Sequence, residues 1–274
     1  MPAQLPDPQL GNVVSEWSVG WLQRTLLCLC LVLLGGVLLG IGISAESTLL
    51  TVVAGPLTLI LVVLLLVQQA ALKVVLYTHG IERRGLLGKQ RLAWDQLQSV
   101  TLNIIDPAST AAVGGGVLVV LIVRAFTPKN LKPQAVVLLG KDGKKLTLHK
   151  YLKGYDTLLE SLLPYLTERL IAGVHQDLNR GITVGFGKRL ALDPAAGVVF
   201  TGLFGKKQVL PLAQVESVGT ERALLIIRKH GQKKPWQRVA ARSVPNLTVF
   251  QRVLGQASGA PLAPPQPDTW SWSR

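Results

Sequence analysis

Gly80-Ile81-Glu82-Arg83-Arg84-Gly85-Leu86-Leu87-Gly88-Lys89-Gln90-Arg91-Leu92 returns later in the chain as Gly197-Val198-Val199-Phe200-Thr201-Gly202-Leu203-Phe204-Gly205-Lys206-Lys207-Gln208-Val209. Three glycines, a lysine and a spread of apolar positions align at one offset of 117 residues. One residue later in register, Trp94-Asp95-Gln96-Leu97-Gln98-Ser99-Val100 aligns with Leu212-Ala213-Gln214-Val215-Glu216-Ser217-Val218. Self-similarity at a fixed offset is the mark of a duplicated structural unit. Within each copy, short apolar runs are punctuated by glycine and charged turn residues, the pattern of strands joined by tight turns.

In the first copy the runs at 74–78, 81–86, 90–94 and 96–103 read as strands, followed by a hairpin of 135–139 and 145–150 around Asp142-Gly143. A helix over 156–163 follows, with Leu158, Leu159, Leu162 and Leu163 on one face, Pro164 stopping or kinking it, and 165–171 as its resumption beyond the proline. In the second copy 182–186 and 189–193 flank Gly187-Lys188, then come 198–203 with 208–212 and 224–228 with 237–240. A closing helix opens at Pro245-Asn246 and aligns Leu247, Phe250, Val253 and Leu254. The expected units are 72–171 and 180–255, each a curled antiparallel sheet plugged by its C-terminal helix. A Pro/Ser-rich tail, 256–274, reads as disordered.

Ahead of the repeat lie two stretches without a charged residue, 26–43 and 49–67. At about 1.5 Å per helical residue each approaches the thickness of a hydrocarbon core. Composition agrees with an apolar element: 49% of the 274 residues are hydrophobic and only 16% charged, against about a quarter charged in ordinary domains. The reading is an N-terminal segment (1–25) and a transmembrane hairpin (26–71). The link 44–48 carries Glu46 and no base, whereas Lys73, Arg83, Arg84, Lys89 and Arg91 follow the second run. The positive-inside rule then places both termini and the β units in the cytoplasm, with the protein a multi-pass component of the cell's inner or plasma membrane. Gly36 and Gly40 form a small-xxx-small pair suited to helix packing, within the hairpin or in a homodimer. Neither run holds an ionisable side chain in its core, which argues against a pump, channel or transporter.

The run Leu92-Ala93-Trp94-Asp95-Gln96-Leu97-Gln98-Ser99-Val100, with Phe186-Gly187, Leu210-Pro211 and Val244-Pro245-Asn246 in the second unit, resembles the bacterial pleckstrin-homology-like (PH-like) domain. With the apolar runs in front, the chain resembles an uncharacterised family of bacterial membrane proteins carrying such domains. The resemblance covers 72–255 and implies a membrane-anchored α+β fold: a two-helix transmembrane hairpin followed by two tandem PH-like units. Its motifs are fold-forming, and a fold does not specify a function.

Chemistry is sparse. His79, His149, His175 and His230 show no metal-ligand spacing, and both cysteines, Cys28 and Cys30, fall in the first apolar run. No phosphate-cradling glycine loop, nucleophile elbow or carboxylate pair is present. No cofactor, metal or catalytic residue is therefore expected. The feature with character is charge, +14 net, gathered at turns. Lys144, Lys145, Lys150 and Lys153 in the first unit, and Lys206, Lys207, Lys233 and Lys234 in the second, are the candidate contacts for anionic lipid headgroups. Nucleic acid is disfavoured because aromatics make up only 5% and do not interleave with the bases. The function expected is a non-catalytic, membrane-anchored binding or scaffold protein with a protein or peptide partner. The alternative is an accessory subunit of a membrane transport or envelope-maintenance complex.

Overall fold

A computed structural model describes residues 10–20, 25, 29–30, 32–33, 35–37, 40, 56–58, 60, 63–64, 72–85, 88–107, 131–202 and 204–259. Strand β1 (Val13–Ser18) pairs antiparallel with β2 (Lys73–Tyr77), which continues into β3 (Gly80–Gly85) and β4 (Gly88–Ala93). The sheet order is β1-β2-β3-β4, a simple meander. Period-2 alternation puts Val74, Ile81 and Leu92 on one face and Val75, Tyr77 and Glu82 on the other, and all six are buried. Leu10 joins Val75 and Tyr77 in a small core beneath that second face. Val13–Ser18 thus pair into this sheet, with Leu10 packed beneath it.

A 3-10 turn at Trp94–Gln96 buries Trp94, whose backbone N–H donates to the His79 carbonyl at 2.9 Å. Strands β5 (Leu97–Asn103), β6 (Ala135–Gly140) and β7 (Lys145–His149) follow as a three-stranded sheet in that order, and helix α1 (Tyr155–Asn179) comes next. The same succession then recurs. Strands β8 (Val184–Gly185), β9 (Leu190–Asp193), β10 (Gly197–Thr201) and β11 (Lys207–Leu210) form a four-stranded sheet, and a 3-10 turn occupies Leu212–Gln214. Strands β12 (Val215–Glu221), β13 (Leu224–Lys229) and β14 (Gln237–Ala240) form a three-stranded one, closed by helix α2 (Leu247–Ser258). The repeated first glycine has one physical cause in both copies. A Cβ on Gly80 would lie 2.7 Å from the Leu92 carbonyl oxygen, and one on Gly197, at φ +101°, would meet the Leu210 carbonyl. Only glycine lets the strand approach its partner so closely.

By contact density the chain divides into two compact units, Met1–Leu97 with Leu148–Leu158 and Gln98–Thr147 with Leu159–Arg274. In the second unit Phe186 and Phe250 meet edge to face with ring centroids 5.0 Å apart, both fully buried. Asn246, at φ +55°, ties α2 to β5. Its N–H donates to the Val100 carbonyl and its side-chain oxygen accepts from the Val100 N–H, each at 2.7 Å. Pro164 does not end α1, which runs on to Asn179. Leu162, Leu163 and Leu166 are buried on either side of it, while Glu160, whose carbonyl loses its helical donor, is exposed. Thr167 then meets the Thr248 hydroxyl at 3.0 Å, and Arg252 pairs with Glu168.

The expected architecture of a two-helix transmembrane hairpin followed by tandem PH-like units is corrected here. The described chain is mostly β, in four small antiparallel sheets. No helix among the described residues is long and apolar enough to cross a membrane. Hydropathy measures how apolar a stretch is, not whether one helix runs through it unbroken. Pro56, which lies in the described helical residues 56–58, has no N–H to donate to a helical carbonyl, a deficiency that hydropathy does not register. The multi-pass membrane placement falls with the hairpin, and so does the cytoplasmic assignment of the termini, which rested on the hairpin's orientation. Most of 26–43 and 49–67 lies outside the described residues, as do 108–130 and the tail beyond 259.

Candidate functional site

The structure separates the eight lysines into different settings. Lys144 closes the β6–β7 turn and is engaged there: its backbone N–H donates to Asp142 at 3.0 Å and its ammonium pairs with the same carboxylate at 2.8 Å. Those hydrogen bonds from Lys144 hold the Asp142 carboxyl below its ordinary range. Lys145 begins β7, and Lys150 and Lys153 follow that strand, all exposed. The Lys153 backbone N–H donates to the Ser18 carbonyl at 2.8 Å, which fixes its place beside the end of β1.

In the second copy of the repeat the basic residues are drawn together. Lys206 lies at the tip of the β10–β11 hairpin and Lys207 begins β11. The Thr201 N–H donates to the Arg189 carbonyl at 2.8 Å, so Arg189, with Lys188 before it, flanks the same end of the sheet. The Gln237 side-chain amide donates to that of Gln208 at 2.6 Å. This bond joins the start of β14, just past Lys233 and Lys234, to β11 beside Lys207. All six bases are exposed, and none forms an ion pair among the described residues. At the apex stands Phe204, 100% exposed.

The candidate packing glycines lie elsewhere. Gly36 and Gly40 are helical, and a Cβ built on either would meet nothing within 4 Å. The close approach falls at Gly35 instead, where a Cβ would run into the Thr58 side chain. The described helical residues around them expose large apolar side chains, Leu33 and Val37 among them.

A buried ionic cluster went unread in the sequence. Glu82 is wholly buried; register sets it opposite Arg91, and Arg84 lies two residues on along the same face. Arg84 and Arg91 each donate from Nε to one carboxylate oxygen of Glu82, Arg91 at 2.6 Å, and Arg84 also reaches the Tyr77 hydroxyl at 3.4 Å. Burial pushes the Glu82 carboxyl up, but the hydrogen bonds and charges of Arg84 and Arg91 outweigh it and hold the group below its ordinary value. The available signal was a pair of opposite charges two residues apart in a strand, Glu82 and Arg84, with Arg91 on the strand that follows. With both carboxylate oxygens occupied, the cluster serves structure.

Among the described residues no group of three or more His, Cys, Asp or Glu is placed to hold a metal. A concavity between α1 and α2 around Leu166, Thr167 and Asn246 encloses no room for a water-sized molecule. His149 stacks on Tyr151 with centroids 6.2 Å apart, and burial together with the Arg83 charge lowers its pKa.

A family model described as a family of unknown function (DUF6585) matches residues 117–261, just over half of the chain. No curated protein matches the sequence. The PH-like resemblance is corrected by this result. The matched range begins after the Leu92–Val100 run that carried most of the likeness, and the model it matches is not described as PH-like. The likeness lay in residues such as Trp94, which fills a turn between two sheets, a need common to many antiparallel folds. The basic end of the second unit lies inside the matched range.

Proposed function

For a chain that belongs to the family of unknown function DUF6585, we propose a non-catalytic binding role in which the basic end of the second unit takes an anionic partner. The observation that carries this reading is the gathering of Lys188, Arg189, Lys206, Lys207, Lys233 and Lys234 without paired carboxylates. Unpaired, exposed like charges repel one another and are retained at a cost, which an opposite charge relieves. Such charges steer encounter and supply salt-sensitive affinity. Lys144 is a weaker contributor, since Asp142 already neutralises it.

Heparin affinity chromatography of the full chain tests the reading. The wild type should be retained at about 0.1 M salt and released well before 1 M, as the screening length falls from about 10 Å to about 3 Å. The fourfold variant Lys206→Gln, Lys207→Gln, Lys233→Gln, Lys234→Gln should elute markedly earlier. Lys145→Gln with Lys150→Gln should elute nearer the wild type. Flow-through of the wild type at the lower salt, or coincident elution of the fourfold variant, would reject the role.

A further inference from the structure

Building on the basic interface above, we propose that the anionic partner is a lipid surface, and that the β10–β11 hairpin tip enters its interface with Phe204 as a shallow apolar wedge, without crossing it. Phe204 touches none of the protein that would hide it from water; it is 100% exposed at the apex of its turn. Lys206 and Lys207 follow it after Gly205, and Arg189 lies beside the hairpin's base. An apolar apex with a basic collar matches the layering of an anionic bilayer, with acyl boundary beneath and charged headgroups around.

The backbone of the tip suits that environment. The Gly202 N–H donates to the Lys206 carbonyl at 2.9 Å and the Gly205 N–H to the Gly202 carbonyl at 3.1 Å. The turn therefore satisfies polar groups internally that would be costly to carry unbonded into lipid. Gly205, at φ +76°, permits the tight closure. The corresponding hairpin of the first copy has the same sequence logic, with Leu86-Leu87 between the paired Gly85 and Gly88 and Lys89 directly after. This pair favours lipid over nucleic acid. A phenylalanine can stack on a base, but leucines have no such face, and both suit a hydrocarbon boundary.

The test is co-sedimentation of the full chain with vesicles of phosphatidylcholine alone and of phosphatidylcholine with about a third phosphatidylserine. The wild type should bind the anionic vesicles and leave the neutral ones. Phe204→Ser should weaken partitioning roughly tenfold or more, the loss expected for one large apolar side chain, while its heparin elution stays unchanged. Phe204→Leu should retain most of the binding. Lys206→Gln with Lys207→Gln should weaken both vesicle and heparin binding. If Phe204→Ser binds anionic vesicles as the wild type does, or if the wild type binds heparin but no vesicle, the wedge is overturned and the basic interface survives. If Phe204→Ser loses affinity for a single-stranded polynucleotide but keeps it for vesicles, the partner is a nucleic acid and the proposal also fails. A wild type that binds neither heparin nor vesicles overturns the functional reading itself.

Discussion

Glu82→Gln isolates the buried ionic cluster with almost no change of shape. In the wild type each carboxylate oxygen accepts from one guanidinium, and the carboxylate is wholly shielded from solvent. The amide keeps one acceptor and turns an NH2 toward the other guanidinium, setting donor against donor. Removing one partner of a buried ion pair costs about 3–5 kcal/mol when the charge left behind stays buried. Here the charges left behind are Arg84 and Arg91, whose side chains are 30% and 42% exposed and can turn to water. The expected loss is therefore lower, about 2–3 kcal/mol. Arg84→Met together with Arg91→Met reverses the situation and strands the carboxylate, at about 3–5 kcal/mol. The pH dependence has a definite sign. The folded carboxyl lies below its ordinary 4.5, so its contribution is complete above that value and is lost as pH falls through the lower folded value. Hydrogen exchange on peptides spanning β2 to β4, with urea unfolding at neutral pH and in acid, reads both. The double arginine variant should lose more protection than Glu82→Gln at neutrality, and the gap between Glu82→Gln and wild type should narrow in acid. Equal protection of Glu82→Gln and wild type at neutral pH, or a gap as wide in acid, would refute the account.

Two further outcomes concern single polar groups. The Tyr155 hydroxyl is buried with no hydrogen-bond partner among the described residues, and burial with the Asp156 charge raises its pKa; Tyr155→Phe should leave the thermal midpoint unchanged or raise stability by up to about 1 kcal/mol, because an unmet polar group is removed. Asn246→Ala should cost about 2–4 kcal/mol in urea unfolding, since it loses the bond to the Val100 N–H and puts alanine at positive φ; Asn246→Asp keeps the acceptor and should recover most of that loss.

Parts of the candidate site were legible as composition and not as place. The lysines at 206, 207, 233 and 234 stand out by type, but their convergence depends on the Gln208–Gln237 bond, between residues far apart in the chain. Phe204 reads as one apolar residue among several in a hairpin, and only the folded turn leaves it fully outside. Lys144 reads like its neighbours until Asp142 is seen to hold it.

Turns, alternation and repetition are local properties, and the sequence by itself determined them. Asp142-Gly143 makes its turn with Gly143 at φ +78°, Leu247, Phe250, Val253 and Leu254 share the buried face of α2, and the repeated Gly80 and Gly197 mark the same close approach of strand to strand. Tertiary structure decided what depends on distant partners. Strand β1 has its ladder only because β2 lies beside it. Helix α1 runs through Pro164 because buried leucines on both sides outweigh one missing hydrogen bond. Glu82 is tolerable in a buried position only because Arg91 arrives on the neighbouring strand. Hydropathy over 26–43 and 49–67 has the same limit: it is a sum over residues, whereas a membrane-crossing helix must also satisfy every backbone polar group, and no helix among the described residues is long and apolar enough to cross.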